Sequence, residues 1–362
     1  MSRDAASMPI RVLIVDDSAF MRTALSRMIT SEHGLEVAGT ASTGADALAK
    51  IPALTPDVIT LDVEMPGLDG LETLRRIMVE CPHPVIMVSA VTERDAETTF
   101  KALAAGAFDY IPKHLSSTSL DIMHIQPDLV AKIRAAAASG RRFHAFADLS
   151  RKPPRSAAIE YPDLDCAAPA VVVLGISTGG PKALQEILPL LPRDLPVPVL
   201  IVQHMPPGFT GPFAQRLNSL CSVTVREAAH RDHLEAGVVY IAPAGKHMTV
   251  ERAYDSRVNI RLDSEPEDSL HIPSVDITMR AAAEVFGNLT MGVIMTGMGS
   301  DGASGMQAIY REGGITIGQD EATCAVYGMP RACAELGILQ RMVPLLHIPT
   351  QILSATRSRK LA

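Results

Sequence analysis

Two sets of residues in this sequence could do chemistry. The stretch "VLGISTGGPKAL" (173–184) overlays two patterns on one turn. Gly175, Ser177 and Gly179 make G-x-S-x-G, which exposes a serine at a sharp strand-to-helix turn. Gly175 and Gly180 also make G-x-x-x-x-G, the opening of a phosphate-cradling loop. Far upstream, Asp16, Asp17 and Asp62 offer three carboxylates, a hard ligand set that suits Mg²⁺. With a cation among them, Asp62 can attack a phosphoryl donor as a carboxylate nucleophile. Ser89 and Lys113 would hold the phosphoryl oxygens.

The phosphate reading of the serine turn is weak. A phosphate loop carries Lys and then Ser or Thr directly after its second glycine. Here Pro181 follows Gly180, Lys182 is displaced, and Ala183 has no hydroxyl. Pro181 suits the first position of a helix, whose apolar stripe is Leu184, Ile187, Leu188 and Leu191. The positive end of that helix would favour an oxyanion as well as a phosphate, so the turn alone does not decide. A serine nucleophile needs a base, and the base needs an orienting carboxylate. His204 ends the apolar run "PVLIVQ", and Asp301 lies in "TGMGSDGAS" (296–304), after another apolar run. His230, His233, His247 and His271 compete with His204, and Asp276 and Asp320 compete with Asp301. The chain order Ser, His, Asp differs from the Ser, Asp, His of alpha/beta-hydrolases. The elbow pattern therefore does not imply that fold.

Parallel strands must carry these residues to one edge, because ligands of open α/β sheets bind at the carboxyl ends of the strands. Short apolar runs at 11–17, 35–42, 56–65, 84–90 and 109–113 read as buried parallel strands separated by helices. Asp16 and Asp17 end the first, Asp62 the third, Ser89 the fourth and Lys113 the fifth. Five such units predict a doubly wound, flavodoxin-like α/β domain over 9–138. Residues 139–167 lose periodicity, carry a Pro pair and mixed charge, and read as a linker. A second α/β pattern spans 168–355 and predicts a Rossmann-like parallel sheet. Its strands are 170–177, 198–205, 289–299 and 314–320. "GVVYIAPAG" (237–245) and "HMTVER" (247–252) look like β-arms or a hairpin.

Composition narrows the class. The chain has 362 residues, 47% hydrophobic, with no Trp and a formal net charge of -7. That balance argues against a general nucleic-acid binder. The five cysteines show no CxxC and no framework, which fits a reducing cytosol and structural thiols. No signal peptide or membrane-length apolar run is visible, so a soluble, cytoplasmic protein without membrane insertion is expected.

The motifs also carry resemblances. "VLIVDDS", "LDVEMPGLDG", "VSA" and "AFDYIPK" resemble the receiver domain of two-component response regulators. That resemblance implies Asp62 as phospho-acceptor, with Asp16, Asp17, Asp62 and the Glu64 backbone carbonyl around Mg²⁺. Ser89 would be the switch hydroxyl and Tyr110 the switch aromatic. His114 stands where receivers usually carry proline after the lysine.

"GISTGGPKAL", "QHMPPGFT", "VYIAPAGKHM", "PSVDITMR", "MTGMGSDGA" and "DEATCAVYGMP" together resemble the chemotaxis protein-glutamate methylesterases, the CheB family. The resemblance implies hydrolysis of glutamate γ-methyl esters, and deamidation of certain glutamines, on chemoreceptors. Ser177, His204 and Asp301 would form the triad, with backbone N–H groups of Thr178 and Met298 as oxyanion donors. Ser300 replaces the asparagine often found before the triad aspartate. "PPGFT" (206–210) and "MPRA" (329–332) would border the receptor groove. A histidine autokinase would be the phosphodonor, the unphosphorylated receiver would cover the serine site, and hydrolysis itself would need no cofactor. A phosphorylation-driven binding module and a transcription regulator are the other readings. The displaced Lys182 opposes the first, and the acidic balance and lack of a terminal helix-turn-helix oppose the second.

Overall fold

Runs of Val, Ile and Leu become the central strands of two parallel sheets in the computed structural model. It describes residues 8–90, 92–113, 125–147, 166–254, 256–267 and 269–357. The chain divides into two units, Met1–Ala158 and Ile159–Ala362. Among the described residues no helix is long and apolar enough to cross a membrane.

The first unit holds β1 (Ile10–Val15), β2 (Leu35–Ala41), β3 (Val58–Asp62), β4 (Val85–Ala90) and β5 (Asp109–Lys113). All pair in parallel, in the order β2-β1-β3-β4-β5. This is the flavodoxin-like doubly wound order, which brings the ends of β1 and β3 side by side. The helices are α1 (Ala19–Thr30), α2 (Gly44–Leu54), α3 (Gly70–Glu80), α4 (Glu93–Ala104) and α5 (Gln126–Ala147). Side-chain caps start three of them. Ser18, Thr43 and Asp69 accept from the N–H groups of Met21, Asp46 and Glu72, satisfying donors that a helix start leaves orphaned. The last helix continues past Ser139 to Ala147. His114 and most of 139–167 lie outside the described residues.

The second unit is a seven-stranded sheet in the order β14-β13-β12-β6-β7-β9-β8. Its strands are β6 (Val171–Ile176), β7 (Val199–Gln203), β8 (Thr224–Glu227), β9 (Val238–Ile241), β12 (Thr290–Ile294), β13 (Ile315–Gln319) and β14 (Arg341–Val343). Between them β10 (His247–Arg252) and β11 (Val258–Asp263) make a separate antiparallel hairpin. The helices are α6 (Gly180–Ile187), α7 (Thr210–Leu220), α8 (Val275–Phe286), α9 (Ala303–Arg311), α10 (Met329–Glu335) and α11 (Ile348–Arg357).

The structure corrects one expectation and splits another. Val238–Ile241 is no arm but a sheet strand, parallel to both β7 and β8. Val239, Tyr240 and Ile241 are fully buried, and a free arm could not cover them. His247–Arg252 is a hairpin arm, but its partner is Val258–Asp263, whose polar alternation hides it among surface residues. β8 and β14 are short edge strands with one buried side chain each, Val225 and Val343, too little pattern to read in sequence. Pro181 stands second in α6, after Gly180.

Candidate active site

The acidic cluster forms where β1, β3 and β5 end. Asp16 and Asp62 are buried and Asp17 is exposed. One carboxylate oxygen from each lies within 4.8 Å of the others. Lys113 Nζ sits 2.9 Å from Asp16 Oδ2 and 2.8 Å from Asp62 Oδ2. Arg22 braces the turn by donating to the carbonyls of Asp16 (2.8 Å) and Asp17 (2.9 Å). Burial pushes the Asp62 carboxyl up, Lys113 pulls it down, Asp16 pushes it up again, and the net value is about 6. Three carboxylates crowded against a single lysine, two buried and one facing water, suit a hydrated divalent cation.

The register of β4 and β5 sets Ser89 beside Pro112 and Ala90 beside Lys113. Ser89 Oγ accepts from Thr99 Oγ1 at 2.8 Å. Tyr110 is buried. Lys132 Nζ donates to its carbonyl at 2.7 Å and lies 5.3 Å from the centre of its ring.

In the second unit, Ser177 and His204 follow the ends of neighbouring strands. Ile176 pairs with Gln203, so the next residue on each strand carries the hydroxyl and the imidazole. The backbone bond from His204 N–H to the Ile176 carbonyl continues the ladder at 3.2 Å. Gln203, buried at the junction, donates from Nε2 to the carbonyls of Ser177 (3.1 Å) and His204 (3.0 Å). On the other side Ser177 N–H donates to the Thr296 carbonyl at 3.0 Å. The Ser177 turn is thus tied to β7 and to the segment after β12. Glycine is needed here: a Cβ on Gly297 would lie 2.8 Å from Ser177 Cβ and overlap Met329 Sδ. Gly179 takes a left-handed φ of +76° to enter α6. Lys182 is exposed, which adds to the case against a phosphate loop.

Asp301 holds the imidazole. His204 Nε2 lies 2.8 Å from Asp301 Oδ2, and the carboxylate can only accept, so Nε2 carries the proton. His204 Nδ1 is buried and has no hydrogen-bond partner among the described residues, Ser177 Oγ included. The same Oδ2 accepts from Val275 N–H at 2.8 Å. Oδ1 accepts from Ser274 Oγ (2.9 Å) and Asp276 N–H (3.0 Å). Burial alone would push Asp301 up. The His204 bond and the Asp276 and Val275 amides outweigh it and bring the carboxyl to about 2.

The rival acids have other duties. Asp276 Oδ1 accepts from the N–H groups of Gly302 (3.0 Å) and Gly305 (2.7 Å), capping α9. Asp301, just before α9, caps α8, and Asp276, in the first turn of α8, caps α9, so each aspartate serves the helix at whose start the other stands. Asp320 Oδ1 closes a local turn on Thr323. The rival histidines are also placed. His247 is fully buried, accepting from Ser274 N–H at Nδ1 and donating from Nε2 to the Pro266 carbonyl. His230 Nδ1 accepts from Leu262 N–H, and His233 bonds Asn259. His271 stacks on His204, ring centres 4.1 Å apart and planes 17° off parallel.

Two backbone N–H groups are oriented by what their own peptides do. The Ser177 carbonyl is taken by Gly180 N–H (2.8 Å) and Gln203. The Gly297 carbonyl accepts from Gly328 (3.0 Å) and Met329 (2.9 Å). In a trans peptide the N–H points opposite its C=O. The N–H groups of Thr178 and Met298 therefore point away from those partners. Thr296 Oγ1 further pins the Thr178 carbonyl at 2.9 Å.

Reading the sequence alone misses Gln203, Ser274, Thr296 and the position of His271. Gln203 leaves one signal, an amide at the end of a fully apolar strand. Ser274 leaves another, an N-cap type opening the pattern of α8.

Comparison with known proteins places this arrangement. The CheB methylesterase family model matches residues 172–352, and the response regulator receiver domain model matches 12–123. A Symbiobacterium thermophilum protein-glutamate methylesterase/protein-glutamine glutaminase is 46% identical, covering 97% of this chain and 98% of that one. The Bacillus subtilis protein of that name is 43% identical over 97% and 99% of the two chains. The crystal structure of the Thermotoga maritima CheB methylesterase catalytic domain is 40% identical, with TM-score 0.50, covering 52% of this chain and 99% of that one. Likeness at this level, running through both units, shows that the chain belongs to the CheB methylesterase family and carries a receiver domain.

Proposed function

We propose that the protein is a phosphorylation-activated hydrolase that releases methanol from glutamate γ-methyl esters on chemoreceptors, and deamidates specific receptor glutamines, giving sensory adaptation. The observation that carries the reading is the Asp301 carboxylate. Four donors fill it, and one of them is a His204 whose other nitrogen is buried at the strand end beside Ser177. The names of the relatives, which pair the two activities, support it.

Both reactions are acyl transfers at a γ-carbonyl. Ser177 Oγ attacks the carbon as its proton passes to His204 Nδ1. Asp301 stays charged, fixes the ring through Nε2 and stabilises the imidazolium. The oxyanion meets the N–H groups of Thr178 and Met298. His204 gives the proton to the ester oxygen or amide nitrogen as its bond to the carbon breaks, and methanol or ammonia leaves. Nδ1 then takes a proton from water, whose oxygen attacks the acyl carbon; the bond to Ser177 Oγ breaks, Oγ takes the proton back, and glutamate is freed. The reaction needs no group beyond these.

The receiver, which we place at 9–138, accepts a phosphoryl group on Asp62 from a chemotaxis-type histidine autokinase in the cytoplasm. Asp16, Asp17, Asp62 and the Glu64 carbonyl would hold Mg²⁺, which when bound supplies positive charge to the phosphoryl oxygens. Lys113 orients the same oxygens, and Ser89 and Tyr110 carry the switch. Phosphorylation unblocks the hydrolase, which we place at 168–355, across the 139–167 linker.

The test is methanol release from methylated receptor by the full chain, with and without a phosphodonor. Release should rise with the donor. S177A should release none while still taking phosphate from acetyl phosphate with Mg²⁺. Wild-type turnover by S177A overturns the assignment of the serine.

A further inference from the structure

We propose that His271 is a positioning residue for the base: its ring holds the plane of the His204 imidazole so that Nδ1 faces Ser177. This rests on the hydrolase reading above. The Asp301 bond fixes one point on the His204 ring, at Nε2. Held there and at its covalent link to Cβ, the ring can still turn about the line between those two points and swing Nδ1 out of line. Proton transfer needs the in-plane lone pair of Nδ1 aimed at Ser177 Oγ. A second constraint must act on the face of the ring, and His271 lies there, 4.1 Å away and nearly parallel.

The His271 backbone is anchored closely enough for this role. Its carbonyl accepts from Ser269 Oγ at 3.0 Å. The next carbonyl, of Ile272, accepts from Gly245 N–H at 3.1 Å. Ser274 donates its N–H to His247 Nδ1 and its hydroxyl to Asp301 Oδ1. The carboxylate that pins one edge of His204 thus also fixes the segment bearing the ring on its face. A side chain that merely filled space would not need its backbone tied to the orienting acid.

The experiment uses the full chain and three variants, H271A, H271F and H271Q. Positioning losses of this kind reach about 100-fold. H271A should lose on the order of 30- to 100-fold in kcat for methanol release, with KM for the receptor within about threefold. H271F restores a flat ring and should recover most of kcat. H271Q, which has reach but no ring, should resemble H271A, and stands in for it if the alanine variant melts early. Two readouts need no receptor. Labelling of Ser177 by a small fluorophosphonate should slow in step with kcat. The His204 Nε2–H proton resonance should be sharp in wild type and in H271F, and broadened in H271A and H271Q. A kcat within threefold of wild type in H271A and H271Q overturns the proposal, as does H271F no better than H271A at unchanged Tm. If the wild type releases no methanol yet is labelled, and labelling slows in H271A, the ester reading fails while the positioning role stands.

Discussion

His204 meets Asp301 through Nε2, 2.8 Å from Oδ2, and the same oxygen also accepts from Val275 N–H. The orienting acid is thus a fixed acceptor as well as a charge. D301N puts an amide NH₂ against donors that it cannot satisfy. We expect kcat to fall by about 10³- to 10⁴-fold and stability by about 1–3 kcal/mol. Methanol release and urea unfolding check both, and a kcat within tenfold of wild type contradicts the assignment.

The same residue sets an acid limit. Its carboxyl lies at about 2, below the ordinary 3.8. A lowered folded value means stability that is present above the unfolded pKa and lost as pH falls through the folded one. The gap between wild type and D301N should hold from pH 7 to about pH 4 and shrink towards pH 2. The part that titrates away should be on the order of 2 kcal/mol. A gap that stays constant down to pH 2 would count against it.

Asp62 should behave in the opposite sense. Its carboxyl is raised to about 6 from 3.8. The raised value means that ionisation opposes the fold, with a penalty that grows between pH 4 and 6 and is complete above. D62N should therefore raise the Tm of the receiver at pH 7 in EDTA, with little effect at pH 4. Mg²⁺ should stabilise wild type and do far less for D62N. Removing the metal with EDTA should also stop phosphorylation by acetyl phosphate. A D62N variant less stable than wild type at pH 7 would refute the burial argument.

Gly297 has no room for a methyl group against Ser177 Cβ and Met329. Met329 is fully buried and cannot retreat to solvent. G297A should lower kcat at least about 100-fold by displacing Ser177, and should lower stability by about 1–3 kcal/mol through overpacking. Normal labelling of G297A by a fluorophosphonate would show that the turn has room to yield.

Removal of the Gln203 amide should separate geometry from fold. Q203L leaves the Ser177 and His204 carbonyls without this donor and should weaken the fold by about 1–3 kcal/mol. The Ser177 labelling rate should drop more than Tm alone explains. An unchanged labelling rate would reduce Gln203 to a packing residue.

Much of this site was legible because strands in parallel sheets end together. Ser177, His204 and Asp301 each follow an apolar run, and the structure sets them after the ends of adjacent strands β6, β7 and β12. Asp16, Asp62 and Lys113 were legible for the same reason. Relationships that no local pattern encodes were hidden. β9 pairs with Val199–Ile201, far away in sequence, and its apolar residues could equally belong to a hairpin. The bonds between the 274–276 turn and Asp301 span 25 to 27 residues. The stack of His271 on His204 joins two loops whose approach only the folded chain decides.

The paired aspartates have a mechanical consequence. Asp301 fastens the start of α8, and Asp276 fastens the start of α9. Neither helix can slide or tilt alone without breaking the other's fastening, so the two travel as one body with the orienting carboxylate riveted between them. A control signal then has little leverage over the alignment of His204 on Asp301. On the proposed function, its effective lever would be admission, the question of whether a receptor helix reaches Ser177 at all.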